Sequence, residues 1–98
     1  MTKQQIIDKL AGAKEDLRRL HVTKLELFGS VVRDEAGPDS DVDFLVEFEP
    51  GFRVTLFRLA ETLNFLEDLL GCKVDLVMRD SVYEPLRENI FGEAIRVA

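Results

Sequence analysis

The sequence predicts an α/β (α+β) fold of two layers, a small mixed sheet with helices packed on one face and an acidic group on the other. Segments with apolar residues at helical spacing alternate along the chain with segments of strand formers, the order that stacks helices on a sheet. Its 98 residues give length for one modest core, so 1–98 is expected to be a single domain. Within the strand segments apolar and acidic residues take alternate positions, which sends them to opposite faces.

Thr2 followed by Gln5 has the pattern of a capping box, and Ile6, Leu10, Ala13, Leu17 and Leu20 recur at helical spacing, so residues 3–20 are expected to form one helix. Val22 to Phe28 is a strand ending at Gly29-Ser30, where a helix can start with Ser30 near its cap. Ala36-Gly37-Pro38-Asp39 is turn chemistry. Val42, Phe44, Val46 and Phe48 then alternate with Asp41, Asp43, Leu45 and Glu47 as a strand does. Pro50-Gly51 breaks that strand, and Leu56, Leu59, Ala60, Leu63, Leu66 and Leu70 mark a helix over 53–70 that Gly71 ends. Lys73 to Met78 reads as a third strand, Ser81 to Phe91 as a helix with Pro85 in its first turn, and Ala94 to Val97 as a last strand.

If Leu25 and Leu27, the Val42 to Phe48 set, and Val74, Leu76 and Met78 face the helices, then Asp41, Asp43 and Asp75 all point the other way. Each strand's phase is fixed by its own apolar residues, so this agreement is independent support for a common site.

Composition narrows the function classes. With 46% hydrophobic and 33% charged residues the chain is an ordinary globular protein, and no apolar run approaches the ~20 residues that span a bilayer. One Cys and one His exclude an internal disulfide and a structural zinc set, which fits a reducing cytoplasm. A net charge of −6 argues against a long polynucleotide partner. The acids Asp34, Glu35, Asp39, Asp41, Asp43, Glu47 and Glu49 crowd residues 34–49 with no Lys or Arg among them, a run that calls for solvent or a cation.

Two carboxylates two residues apart on a strand have Cα atoms about 6.6 Å apart, close enough to bridge a pair of divalent ions. Such pairs clamp the attacking and leaving oxygens of a phosphoryl displacement, and oxygen ligands suit Mg²⁺. Gly29-Ser30 at a strand end offers free backbone N–H groups to phosphate oxygens, and Arg33 stands within reach of the same phosphates. Each feature alone has a plainer explanation: a turn, a solvated acid, an edge-protecting Asp75, a surface Arg. Their combination favours a site. An EF-hand is excluded because Phe44 stands where its loop requires Gly and Pro50 where it requires Glu, and no P-loop motif is present. Cys72, Tyr83 and His21 read as packing or surface residues, whereas Phe57, Phe65 and Leu69 lie off the main stripe of their helix and are open either to a partner or to neighbouring loops.

On Gly29-Ser30, Arg33, Asp41-Val42-Asp43 and Asp75, and on the closing segments Pro85 to Ile90 and Glu93 to Val97, the chain resembles the minimal nucleotidyltransferase family of the DNA polymerase β-like superfamily along nearly its whole length. The resemblance implies binding of a nucleoside triphosphate, most simply ATP, with two Mg²⁺ ions, and transfer of its nucleoside monophosphate to a hydroxyl. By position, Asp41 and Asp43 would hold both ions, and Asp75 would hold the catalytic ion and help deprotonate the acceptor. Gly29, Ser30, Arg33 and Ser40 would hold the phosphates. Two departures stand out: Val32 where a small residue is common, and Asp34 where Gly is common. Stand-alone relatives are commonly paired with an all-helical HEPN toxin, which several adenylylate on tyrosine as its antitoxin, and an acidic surface suits such a protein partner, in an oligomer with it. Two alternatives remain: a module that neutralises its partner by contact alone, and a small-molecule transferase of antibiotic type.

Overall fold

The first helix begins where the capping box sets it: the Thr2 hydroxyl oxygen accepts from the Gln5 N–H at 3.2 Å, and the Gln5 side chain accepts from the Thr2 N–H at 2.9 Å. The computed structural model describes residues 1–37 and 40–98; the Pro38-Asp39 half of the expected turn lies outside them. Along the chain run α1 (Lys3–Ala11), α2 (Lys14–Arg19), β1 (Val22–Phe28), β2 (Val42–Phe48), α3 (Leu56–Leu70), β3 (Val74–Met78), α4 (Glu84–Glu93) and β4 (Ile95–Arg96), with a 3-10 turn at Arg79–Ser81 between β3 and α4.

Four helix expectations are changed by the structure. The helix over 3–20 is two helices, because Gly12 caps the first and Ala13 leaves helical geometry at φ −115°. The break keeps Ile6, Leu10, Ala13 and Leu17 all buried. No helix follows Ser30. A single turn forms there, in which the Arg33 N–H donates to the Gly29 carbonyl at 3.3 Å and the Glu35 N–H to the Ser30 carbonyl at 2.9 Å. Asp34 ends it at φ +57°, the left-handed region that Gly adopts without cost. The helix over 53–70 begins at Leu56, where the Thr55 hydroxyl oxygen accepts from the Arg58 N–H at 3.2 Å, and ends as expected at Gly71, φ +70°. The helix assigned to 81–91 starts at Glu84; the preceding residues are spent on the 3-10 turn, and Pro85 sits in the first turn, where no intrahelical N–H partner is lost.

The four strands form one sheet in the order β3-β2-β1-β4. β1 runs antiparallel to β2 and β4, while β2 and β3 are parallel and joined by α3 as the crossover. The sheet is mixed, as expected. Its first face meets α1, α2 and α3 in a core of Ile6, Leu10, Leu17, Leu25, Leu27, Val31, Val42, Phe44, Val46, Leu66, Leu70 and Val74. This is the apolar parity of each strand, and it turns Asp43 and Asp75 to the other face.

That other face is not bare. Phe28, Leu45 and Val82 form a second cluster on which Val77, Ile90, Phe91 and Ala94 pack, so α4 lies across the acidic side of the sheet. Phe65 and Leu69 are half-buried against the main core, as packing residues are, while Leu56 and Phe57 are 85% and 73% exposed. Cys72 also packs on the core, and His21 stacks on Phe52 with ring centroids 4.1 Å apart. Among the described residues no helix is long and apolar enough to cross a membrane.

Candidate active site

The site gathers where β1 ends and β2 and β3 begin. In the parallel β2–β3 register Asp43 lies directly opposite Asp75, a pairing that puts their Cα atoms about 4.8 Å apart by strand spacing, with both side chains on one face. Asp41, two residues before Asp43, shares its parity and is exposed just ahead of the strand. Across the antiparallel pair Phe28 is the register partner of Asp43, so Gly29, the next residue, comes up beside the Asp43 carboxylate.

Gly29 is at φ +82°, and a Cβ there would run into the Asp43 carboxylate and lie 3.0 Å from its Cγ. The glycine therefore has two reasons to be there. It turns the chain out of β1, and its missing side chain is the space into which Asp43 fits. The three acids repel one another in that space. Burial first, then the Asp75 charge, then the Asp41 charge push the Asp43 carboxyl up from its ordinary value to about 6.

Arg33 only partly offsets this. Its Nη1 donates to Glu93 Oε1 at 3.0 Å and Oε2 at 2.9 Å, and its Nε donates to Glu35 Oε2 at 3.1 Å. Those bonds, Glu93 before Glu35, hold the guanidinium more firmly protonated than usual. Asp34 turns its side chain out to solvent, 4.0 Å from Lys3 Nζ, so it is not the acid that competes for Arg33. The Gly29 N–H, the donor expected to meet a phosphate, also donates to Glu93 Oε1, at 3.0 Å. Ser30 is half-buried at the start of the turn. Ser40 accepts from the Gly37 N–H at 2.9 Å and so closes its own loop.

Among the described residues no three acidic, histidine or cysteine side chains are drawn tightly enough to enclose a metal ion unaided. Mg²⁺ needs no such cage: it keeps several waters and takes one or two carboxylates plus substrate phosphates. The all-oxygen donors Asp43 and Asp75, side by side on a rigid sheet with excess negative charge, fit that requirement. The cavity of about 370 Å³ lined by Glu47, Phe48, Phe52, Arg79 and Asp80 lies at the opposite end of β2.

Glu93 is the residue the sequence reading missed as part of the site. It lies 18 residues beyond Asp75 and 50 or more beyond the other members, at the end of a helix with no metal or phosphate motif of its own. An unassigned acid next to Ala94 in a segment that resembles the family was the only signal.

Residues 10–97 match the model of the nucleotidyltransferase domain. The chain belongs to this family. Protein adenylyltransferase MntA of Thermococcus cleftensis is 40% identical to it over 98 residues, covering 99% of this chain and 97% of that one. A solved structure assigned as a minimal nucleotidyltransferase superimposes with a TM-score of 0.79 at 37% identity, over 97% of this chain and 95% of the other. A toxin–antitoxin crystal structure with AMP-PNP shares the fold at a TM-score of 0.73 and 21% identity, over 94% of this chain and 72% of that one. The polymerase β-like architecture expected from the sequence is thereby established, and this nucleotidyltransferase carries its Gly-Ser turn and both strand-borne aspartates at one end of one sheet face.

Proposed function

We propose that this nucleotidyltransferase transfers AMP from ATP, with Mg²⁺, to a hydroxyl of a partner protein, and that the partner is a helical HEPN toxin modified on tyrosine. The observation that carries the reading is Asp43 facing Asp75 across β2–β3, wedged against a glycine whose Cβ would displace it. A relative 40% identical over nearly the full length is a protein adenylyltransferase, which supports AMP and a protein acceptor; the fold shared with the AMP-PNP toxin–antitoxin structure agrees.

In this reading Asp41, Asp43 and Asp75 hold Mg²⁺, which supplies charge neutralisation for the phosphates and the leaving pyrophosphate. The acceptor oxygen forms a bond to the α-phosphorus as the bond from that phosphorus to the pyrophosphate oxygen breaks. Asp75, exposed at the rim of the sheet, is placed to take the hydroxyl proton. Gly29, Ser30 and Arg33 hold the outer phosphates, and the rigid strand ends keep the donors in place while charge moves. Ser40 serves by fixing the loop that leads into Asp41.

The test is incubation of the chain with ATP, Mg²⁺ and its co-purifying partner. The partner should gain one adenylyl mass, mapped to a tyrosine, and Asp43→Asn should lower the yield by at least 10³-fold. Neutralisation of the partner by the Asp41→Asn, Asp43→Asn double variant without any mass change would instead establish the contact-only alternative.

A further inference from the structure

The Glu93 carboxylate is bound as a phosphate would be. It accepts one backbone N–H, from Gly29 at 3.0 Å, and on its two oxygens the Arg33 Nη1 donor at 2.9 and 3.0 Å. These are the two charge-matched donors that the transfer reaction needs for the triphosphate. We propose that Glu93 is a built-in occupant of the phosphate cradle, which the triphosphate of an incoming nucleotide must displace from Gly29 and Arg33. The inference rests on the nucleotide reading of the site given above and adds a competitor to it.

Displacement is open to Glu93 for local reasons. Its side chain is 23% exposed and sits on the last residue of α4, so rotation about its own side-chain bonds carries the carboxylate into solvent. α4 has no buried residue and no side-chain cap at its start, and Gly92 weakens its final turn. Beyond it, β4 holds the chain to β1 through Glu26–Arg96 and Leu27–Ile95, so the acid can leave while the backbone stays. Arg33 keeps Glu35 at 3.1 Å as a second partner, so the guanidinium remains positioned when Glu93 goes. Glu93 also adds its charge to that felt by Asp43, so its departure relieves the acid corner as the triphosphate arrives with its cations.

The sign of one substitution separates a competitor from a support. Glu93→Gln keeps the size of the side chain and an oxygen for the Gly29 N–H but removes the charge; Glu93→Ala removes both. Titration of each chain with ATP and Mg²⁺ by calorimetry should show both variants binding at least threefold tighter than the unmodified chain. The Gly29 amide should exchange faster in Glu93→Ala before nucleotide is added, and inorganic tripolyphosphate should show the same order of affinity as ATP. Equal or weaker binding by the variants, with the unmodified chain binding, overturns the proposal and makes Glu93 a support for Arg33 or a ligand. Absence of binding by all three chains overturns the nucleotide reading itself, and the proposal with it.

Discussion

Two carboxylates on the same face of the sheet have opposite fates. Glu26, in the middle of β1, is 8% exposed and pairs with Arg79, whose guanidinium lies 4.1 Å over the Phe91 ring, and with Lys24 Nζ at 3.7 Å. Asp43, on the neighbouring strand, feels the negative charges of Asp75, Asp41 and Glu93, opposed by that of Arg33, which is itself paired with Glu93 and Glu35. The first acid is neutralised by the chain itself. The second is held half-buried among like charges, an arrangement that favours whatever brings positive charge from outside. A buried structural acid and a candidate metal ligand are thus distinguished by their partners, since both have the same parity and the same sheet.

Substitutions that break the comparison should differ in size and in sign. Arg79→Ala leaves Glu26 buried with little compensation and should cost about 3 kcal/mol in urea unfolding, a loss that adding Glu26→Gln partly restores. Gly29→Ala forces a left-handed backbone and a collision with the Asp43 carboxylate; about 2 kcal/mol of stability should be lost together with nearly all transfer activity. Asp43→Asn should do the reverse for stability. Its folded pKa, about 6, lies above the ordinary 3.8, so the native state holds the proton more tightly than the unfolded chain. The chain therefore loses stability as pH rises from about 4 through 6, and the variant, which has no such proton, should be the more stable by about 1 kcal/mol at pH 8 in chelator. The figure is discounted for partial solvent screening, and the gain should vanish at pH 4. The smallest effect is expected outside both regions: Phe57→Ala, at a side chain already 73% exposed, should move stability by no more than about 0.5 kcal/mol.

Much of this contrast was legible in the sequence. Strand parity alone set Asp43 and Asp75 on one face, because Val42, Phe44 and Val46 on β2 and Val74 and Leu76 on β3 fix the phase of their strands through burial. The capping box at Thr2 and the glycine stop at Gly71 were readable for the same reason: their signals are local. What could not be read was set by contacts distant along the chain. The turn after Ser30 looked helical in its residues, and only the φ of +57° at Asp34 stops it. Leu56 fitted the apolar stripe of α3 but is 85% exposed in its first turn. The pairing of Glu26 with Arg79 spans 53 residues and that of Arg33 with Glu93 spans 60, and no spacing rule reports either.

The central claim is that the unneutralised corner, and not the neutralised one, carries nucleotidyl transfer. It is tested most directly by supplying ATP labelled at either the α- or the γ-phosphate, with Mg²⁺ and the co-purifying partner. The account predicts that α-label appears on the partner protein, that γ-label leaves as pyrophosphate, and that Asp43→Asn and Asp75→Asn each abolish the transfer while Glu26→Gln retains it. Transfer of the γ-label, or α-label transfer undiminished in Asp43→Asn, would contradict it.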